Sequence, residues 1–233
     1  MSGLVSLIQY SRKHYIAPQL CNVTQNLVPA TAHLTNMRQQ LLFAESNDVP
    51  EKLSPPKGFV FQSDFLSLQE ERDLIAFIQT LNFKKFQFYG VTAKRRVIHF
   101  GLHYAFTSRA LSPAPALPAV FQPIREKAAT FTGIDPADFS ETLVTEYQPG
   151  AGIDWHRDAP PFGVIVGISL GAGCRMRFRK GSGAQRQTTA ATLPPRSIYL
   201  LTGEARTLWQ HSIAPITEIR YSITFRTLKD QDY

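Results

Sequence analysis

Two histidines and one aspartate are the residues of this chain best suited to hold a metal ion. His156 and Asp158 alternate along the chain, so on an extended strand their side chains leave the same face and can meet at one point. His211 lies further along, and the three side chains together offer two imidazole nitrogens and one carboxylate. Such a set holds octahedral Fe(II) with open positions left over, and tetrahedral zinc can use the same ligands with a water.

Two arginines near the carboxyl end favour the first of these alternatives. Arg220 and Arg226 fall on one face of a predicted strand, whose other face carries Tyr221, Ile223 and Phe225. Their Cα atoms would lie roughly 20 Å apart, and two long side chains leaning together leave a gap about as long as a small dicarboxylate. A guanidinium group offers two parallel donors to a carboxylate. The pattern therefore predicts that an organic acid binds beside the metal.

In these motifs the chain resembles the AlkB family of Fe(II)/2-oxoglutarate dioxygenases. The resemblance is carried by His156-x-Asp158, His211, the "RYSITFR" strand from Arg220 to Arg226, and the upstream "YQPG" that begins at Tyr147. It runs from about Phe59 to Leu228. It implies an enzyme that uses Fe(II), 2-oxoglutarate and O2 to remove alkyl groups from the nucleobases of DNA or RNA by oxidation.

The resemblance also implies a role for each of the principal residues. His156, Asp158 and His211 would bind the iron. Arg220 would hold the distal carboxylate of 2-oxoglutarate. Arg226 would support the catalytic site close to the metal-bound carboxylate of the co-substrate and to the substrate.

Four other positions bear on the co-substrate and the substrate. The Tyr147 hydroxyl would contact 2-oxoglutarate, as the tyrosine at that place does in the family. Thr145 and Ser222 stand where relatives carry asparagine, and they can still hydrogen-bond the co-substrate with a shorter reach. Pro160 stands where the family prototype has a second aspartate, aimed at the exocyclic amine of the flipped base. Since proline cannot make that contact, 1-methyladenine and 3-methylcytosine do not follow automatically, and bulkier adducts or another nucleic acid stay open.

A basic and aromatic segment from Phe83 to Phe106 resembles the nucleotide-recognition lid of the family. A base must leave its stack to reach a buried iron, at a cost of roughly a few kcal/mol, and the extruded base is held by stacking and polar contacts. The alternative is a β-hairpin with buried aromatic and solvated cationic side chains. The residues predicted to contact nucleic acid are Phe86, Phe88, Tyr89, Lys94, Arg95 and Arg96. Trp155, directly before His156, either lines the same pocket or packs in the barrel, and we include it among the candidate substrate contacts.

Length, charge and hydropathy narrow the class of protein. At 233 residues the chain is long enough for one large domain. Hydrophobic residues make up 43% of the chain, but no continuous apolar run approaches the roughly 18 residues that a membrane-spanning helix needs. We therefore expect no membrane partner. The net charge of +7 and the pI near 9.5 favour a polyanionic partner such as nucleic acid. We expect a monomer.

The chain divides into an N-terminal extension with a linker, residues 1–57, and a dioxygenase domain, residues 58–233. Residues 1–44 contain no Asp or Glu, and we expect the extension to be poorly ordered. An acid-poor leader can also target an organelle, but basic residues are few here, so a cytoplasmic location, at the nucleoid in a bacterium, is favoured. Cys21 and Cys174 have neither metal-site spacing nor the density of a secreted scaffold, which fits a reducing compartment.

The hydrophobic pattern predicts two helices followed by a run of strands. Ser67 and Glu70 form a capping box at the start of the first helix, and the second runs from about Pro118 to Gly133. From Thr142 the period changes to two, and glycines and prolines separate short segments. The predicted strands are Leu143 to Tyr147, Val164 to Leu170, Cys174 to Arg179, Ser197 to Leu201, and Arg220 to Thr227. The predicted fold class is α+β, mainly β, with a double-stranded β-helix (jelly-roll) core and supporting N-terminal helices.

One of these strands carries three arginines on a single face. Arg175, Arg177 and Arg179 alternate with apolar residues, so they leave the sheet together. They either contact nucleic acid or face solvent, and solvent is favoured because the substrate channel of the family opens elsewhere.

Two other functions compete with oxidative dealkylation. A hydroxylase of a protein or small molecule could use the same fold, but the basic, aromatic segment argues against it. A non-catalytic nucleic-acid-binding module with a degenerate site is a further alternative, and the intact set of metal ligands argues against that.

Overall fold

The structure is a computed structural model that describes residues 54–88 and 91–229, with the side chains of all of these except residues 85–88 and 91–93. The described residues all belong to one compact unit. The prediction for the N-terminal extension, residues 1–57, therefore lies almost wholly outside the described residues.

Strands outnumber helices along the described chain. The helices are α1 (Leu68–Gln79), α2 (Gln122–Thr132) and α3 (Gly203–Thr207). The strands are β1 (Phe59–Gln62), β2 (Lys84–Phe88), β3 (Val91–Phe100), β4 (Leu102–Ala105), β5 (Ala110–Pro113), β6 (Phe139–Tyr147), β7 (Ile153–His156), β8 (Phe162–Gly171), β9 (Cys174–Lys180), β10 (Gln187–Leu193), β11 (Ile198–Leu201), β12 (Gln210–Ile213) and β13 (Arg220–Leu228).

Two antiparallel sheets form the jelly roll that the sequence predicts. The larger has seven strands in the order β1-β11-β8-β13-β6-β3-β2, and the smaller has four in the order β10-β9-β12-β7. From β7 to β9 and again from β11 to β13, successive strands alternate between the two sheets. This alternation is the pattern of a double-stranded β-helix, and it brings strands that are distant in sequence side by side. The short strands β4 and β5 form a separate hairpin.

Both predicted helices are confirmed, with small differences at their ends. In α1 the Ser67 side chain caps the Glu70 amide and the Glu70 carboxylate caps the Ser67 amide, as the capping box predicts. The second helix begins later than expected, because the turn after Pro118 is a 3-10 turn and α2 itself starts at Gln122. Gly133 ends it in the left-handed conformation, with φ of 73°.

The five predicted strands are all present, and the described residues form eight further strands that were not predicted individually. The sequences of β7, β10 and β12 are IDWH, QTTAATL and QHSI, so these segments lack the run of large apolar residues that marked the predicted strands. The segment that resembles a lid forms β2 and β3, and β3 pairs with β6 at the edge of the larger sheet. β2 and β3 therefore form an antiparallel pair, as the hairpin alternative predicts for the backbone, and the role of the segment as a nucleotide-recognition lid stays a prediction.

The hydrophobic core has two parts, one on each face of the larger sheet. On the outer face, Leu74 of α1 and Phe121 beside α2 pack against Ile223 and Phe225 of β13. On the inner face, residues of both sheets pack together, among them the fully buried Phe178. The candidate site lies within this second part. Among the described residues, no helix is long and apolar enough to cross a membrane.

Candidate active site

The three candidate metal ligands meet between the two sheets. His156 of β7 lies opposite His211 of β12 in the antiparallel register, and their ring centroids are 4.3 Å apart. The Asp158 Oδ2 atom lies 3.5 Å from Nε2 of His211. One ligand atom from each of the three residues lies within 4.8 Å of the others. The predicted cluster is therefore formed, although Asp158 belongs to the turn after β7 and not to the strand, because β7 ends at His156.

The protonation states of these groups suit a metal. Burial, together with the neighbouring His156 imidazole, lowers the pKa of His211 to about 3. Burial also lowers the pKa of His156, whose Nδ1 lies 2.8 Å from the Asp154 carbonyl oxygen, so Nδ1 carries the proton and Nε2 is free. Burial alone would raise the pKa of Asp158, but the Arg226 guanidinium outweighs it and holds that pKa well below its usual range. Two neutral imidazoles and one carboxylate are the ligand set expected for Fe(II).

Arg226 connects the metal ligand to a second buried carboxylate. Its Nη2 donates to Asp158 Oδ1 at 2.6 Å, and its Nη1 donates to Glu141 Oε2 at 2.7 Å. The other Glu141 oxygen lies 2.8 Å from Nδ1 of His99, and the Glu141 side chain is 1% exposed. The sequence indicated Arg226 but not Glu141 or His99. Their contribution depends on the pairing of β3, β6 and β13, and no local motif reports that pairing.

Arg220 lies at the other end of the same face of β13. It is fully buried, its Nε donates to Ser169 Oγ at 3.1 Å, and its Cζ lies 4.8 Å from the centroid of the Tyr147 ring. Its Nη1 has no hydrogen-bond partner among the described residues. A buried guanidinium with an unsatisfied donor is costly, and an anion placed there would satisfy it. The residues present thus fit a carboxylate of 2-oxoglutarate.

The register of the larger sheet brings the other predicted co-substrate residues to the same place. Tyr147 pairs with Arg220, and Thr145 pairs with Ser222, across β6 and β13. All four line a cavity of about 100 Å³ that also reaches the three candidate metal ligands and Arg226.

Three consecutive cations of β3 have different surroundings, because successive residues of a strand point to opposite faces. Lys94 is exposed. Arg96 makes two hydrogen bonds to the Glu146 carboxylate, at 2.8 and 2.9 Å. Arg95 lines the cavity, where burial lowers its pKa. Of the three predicted phosphate contacts, Arg95 therefore lies inside the site, and the other two lie outside the cavity.

The predicted aromatic contacts fall into two groups. The side chains of Phe86 and Phe88, and the whole of Tyr89, lie outside the described residues. Trp155 does not line the cavity, because it leaves β7 on the face opposite His156. There the Arg177 and Arg179 guanidinium carbons lie 5.1 and 4.5 Å from the centroid of the Trp155 ring. The sequence held the signal for this placement, since adjacent residues of a strand cannot share a face.

Several residues of the cavity were not among the predicted site residues. Tyr104 and Phe106 line it, with their ring centroids 5.1 Å apart, and Arg157 lines it next to the metal ligands. Arg206 holds the turn after Asp158 and the start of β8, because it donates to the carbonyl oxygens of Ala159, Phe162 and Gly163. This turn contains Pro160, which is exposed. Among the described residues, the carboxylates that line the cavity are those of Glu141 and Asp158, and Arg226 binds both.

Comparison with known proteins agrees with this geometry. Residues 69–226 match the family described as the 2OG-Fe(II) oxygenase superfamily. The chain is 32% identical over 180 residues to "Alkylated DNA repair protein ALKBH8 homolog" of Arabidopsis thaliana, with 67% of this chain and 50% of that protein covered. It is 29% identical over 186 residues to "tRNA (carboxymethyluridine(34)-5-O)-methyltransferase alkbh8" of Xenopus tropicalis, with 75% of this chain and 28% of that protein covered. The chain thus spans half or less of the length of these relatives.

The fold has a solved counterpart. The structure of OsALKBH1 superposes with a TM-score of 0.61 at 18% identity, and the match covers 75% of this chain and 98% of that one. At this identity the likeness concerns the fold alone, which is the jelly roll described above.

Proposed function

Because this chain belongs to the 2OG-Fe(II) oxygenase superfamily, and within it to the AlkB family, we propose that it removes alkyl groups from nucleobases of DNA or RNA by oxidation. The family membership makes it a dioxygenase with Fe(II), 2-oxoglutarate and O2 as cofactors. The names of the two relatives refer to alkylated DNA and to a tRNA uridine, so both nucleic acids belong within the proposal.

The observation that carries the substrate proposal is the composition of the cavity. Arg95 and Arg157 line it together with the aromatic rings of Tyr104 and Phe106. Aromatic side chains stack on an extruded base, and guanidinium groups bind phosphates or the acceptor atoms of a base. A cavity of this kind next to three candidate metal ligands suits a planar, polar group attached to a polyanion.

In the proposed metal site, both histidines are neutral and the aspartate is ionised. His156 and His211 would each present one neutral imidazole nitrogen, and Asp158 would present a carboxylate oxygen. When bound, Fe(II) with 2-oxoglutarate supplies an oxidant made from O2 that hydroxylates an alkyl carbon on a base nitrogen, while 2-oxoglutarate becomes succinate and CO2. Arg226 would hold the second oxygen of Asp158 and so fix the orientation of that ligand.

The opposite end of the cavity would orient the co-substrate. Arg220 would bind the distal carboxylate of 2-oxoglutarate through the unsatisfied Nη1, and the Tyr147 ring packs against its guanidinium group. Thr145 and Ser222, which are paired across the sheet, would add hydroxyl contacts. The surrounding sheets bury these groups, which would keep water away from the bound co-substrate.

The dealkylation is completed without further help from a metal. After hydroxylation, one carbon is bonded both to the new hydroxyl group and to the base nitrogen. When the carbon–nitrogen bond breaks, the carbon leaves as an aldehyde and the hydroxyl proton passes to the nitrogen. The products are then the repaired or modified base, an aldehyde, succinate and CO2.

The proposal is tested by measuring succinate release with different substrates. Methylated single-stranded DNA and RNA, the same strands in duplexes, a proline-containing peptide and a reaction without substrate should be compared at equal concentration. We expect stimulation by at least one methylated nucleic acid and none by the unmethylated strands. Stimulation by the peptide alone would instead favour the protein hydroxylase.

We further propose that the protein acts as a monomer in the cytoplasm. The cytoplasmic location is supported by the two cysteines, which lack metal-site spacing and the density of a secreted scaffold, and by Cys174, which is free and buried.

A further inference from the structure

The outer face of the smaller sheet carries a concentration of arginines on its strand β9. Arg175, Arg177 and Arg179 of β9 point outward, whereas Met176 and Phe178 between them are buried. The sequences of β9, β10 and β12 contain no Asp or Glu, and the fourth strand of the sheet, β7, contains one acidic residue, Asp154. Among the described residues, none of the three arginines forms an ion pair. We call Trp155, Arg157, Arg175, Arg177 and Arg179 the arginine face.

Two of these arginines are held in place by neutral groups. Arg177 Nε donates to Ser212 Oγ at 3.0 Å, and Arg179 Nε donates to Gln210 Oε1 at 2.8 Å. Both guanidinium groups also lie over the Trp155 ring, at 5.1 and 4.5 Å from its centroid. Their partners order the side chains without cancelling the charge. Less conformational entropy is then lost when an anion binds to the remaining Nη groups.

The arginine face continues to the mouth of the cavity. Trp155 directly precedes His156, and Arg157 directly follows it. Arg157 is exposed, lines the cavity, and is held by a hydrogen bond from Nη2 to the Leu208 carbonyl oxygen at 3.1 Å. A ligand lying on the outer face of β7 would therefore reach the opening beside the metal ligands and pass one acidic residue of that strand, Asp154, whose carboxylate accepts a hydrogen bond from the Trp155 amide.

We propose that the arginine face binds the sugar-phosphate backbone of the nucleic-acid strand whose base enters the cavity. This inference rests on the proposed function. Arg177 and Arg179 are two residues apart on one strand, which separates their Cα atoms by roughly 6.6 Å, and each fork can bind a phosphate through two donors. A polyanion is the partner that such charge complementarity fits. From the sequence alone, we expect these arginines to face solvent. Arginines that only face solvent have no need of a fixed position over the Trp155 ring.

The test compares charge-removing variants of the two central arginines with a matched control. R177A/R179A and R177Q/R179Q remove both charges, and the glutamine variant keeps a polar head should the alanine variant unfold. R72A removes one charge from an exposed arginine of α1, on the far side of the larger sheet, so its effect is compared with that of the double variants per charge removed. Binding of a methylated single-stranded oligonucleotide is measured by fluorescence anisotropy at several salt concentrations. Thermal unfolding confirms that each variant is folded.

We expect the double variants to bind more weakly and to lose about 0.7 from the salt slope for each removed contact, whereas R72A keeps the wild-type slope. R177K/R179K should keep the slope and lose part of the affinity. Succinate release without any oligonucleotide should be unchanged in all of these variants, since Arg72, Arg177 and Arg179 do not line the cavity.

Two outcomes would overturn the inference, and they differ in what else they affect. If the wild-type protein is stimulated by the oligonucleotide and the double variants match R72A in affinity and slope, the arginine face plays no part and the proposed function stands. If the wild-type protein neither binds the oligonucleotide nor is stimulated by it, the proposed function fails together with the inference.

Discussion

Arg226 donates to Asp158 at 2.6 Å and to Glu141 at 2.7 Å, so one guanidinium group joins a candidate metal ligand to a carboxylate buried in the sheet. The Asp158 oxygen that faces Arg226 is Oδ1, and the oxygen that lies nearer His211 is Oδ2. The two carboxylate oxygens thus have separate partners. This arrangement leaves one oxygen for a metal and fixes the carboxylate plane through the other.

The Asp158→Ala variant should lose Fe(II) binding and turnover while remaining folded. Removing the carboxylate leaves two imidazoles, which hold a divalent ion much less firmly than the complete set of ligands. Succinate release and binding of Co(II) as a spectroscopic substitute would both be measured, with circular dichroism as the control for folding. Full succinate production by this variant would show that the metal ligands have been assigned wrongly.

Glu141→Gln should weaken metal affinity although Glu141 is not a ligand. Glutamine balances the Arg226 charge less well, so Arg226 would bind Asp158 more strongly and compete with the metal. Loss of such an outer partner typically lowers metal affinity about 10- to 100-fold. The matched control is Glu146→Gln, because Glu146 is also a buried carboxylate bound by an arginine, Arg96, but does not line the cavity.

The readout for Glu141 is the Co(II) dissociation constant, measured without 2-oxoglutarate or substrate. Equal metal affinity in the Glu141 and Glu146 variants would mean that Glu141 contributes to folding alone. Thermal unfolding of both variants separates a loss of stability from a loss of metal positioning.

Arg220→Ala should raise the Michaelis constant for 2-oxoglutarate roughly 30-fold or more. Truncating one partner of a buried, hydrogen-bonded charge pair costs about 2 to 5 kcal/mol. Arg220→Lys keeps the charge but not the fork, so it should lie between the alanine variant and the wild type. An unchanged Michaelis constant in the alanine variant would remove Arg220 from the co-substrate site.

Lys94 and Arg95 should differ in their effect on nucleic-acid binding, although they are adjacent. Lys94 is exposed, so Lys94→Ala should reduce the salt slope by about 0.7 to 0.9 if it contacts a phosphate. Arg95 lines the cavity, so Arg95→Ala should raise the Michaelis constant for the oligonucleotide or lower kcat with little change in slope. Arg96→Ala should change the slope less than Lys94→Ala, because Glu146 already balances its charge. Equal slope changes for Lys94 and Arg95 would contradict the placement of Arg95.

The sequence predicted those parts of the site that lie within single strands. The period-two pattern of β13 correctly separated Arg220 and Arg226 from Tyr221, Ile223 and Phe225, which pack on the helix side. The same rule, applied to β7, would have placed Trp155 opposite His156 and outside the cavity. It would also have separated Arg95 from its neighbours in β3.

The rest of the site depends on which strands become neighbours. Glu141 reaches Arg226 because β6 pairs with β13, and His99 reaches Glu141 because β3 pairs with β6. Strand order in a jelly roll follows from the packing of the whole chain, and residue spacing within one segment does not encode it. The hydrogen bonds from Arg206 to the turn after Asp158 are likewise long-range, so no motif near Asp158 predicted them.

The most direct test of the central claim measures the nucleic acid and the co-substrate together. A methylated oligonucleotide is incubated with the enzyme, Fe(II), 2-oxoglutarate and O2, and mass spectrometry follows the oligonucleotide while formaldehyde and succinate are assayed in the same sample. The account predicts that each lost methyl group is matched by one formaldehyde and one succinate, and that Asp158→Ala yields none of the three. Succinate release at the same rate with and without the oligonucleotide, with every methyl group retained, would contradict it.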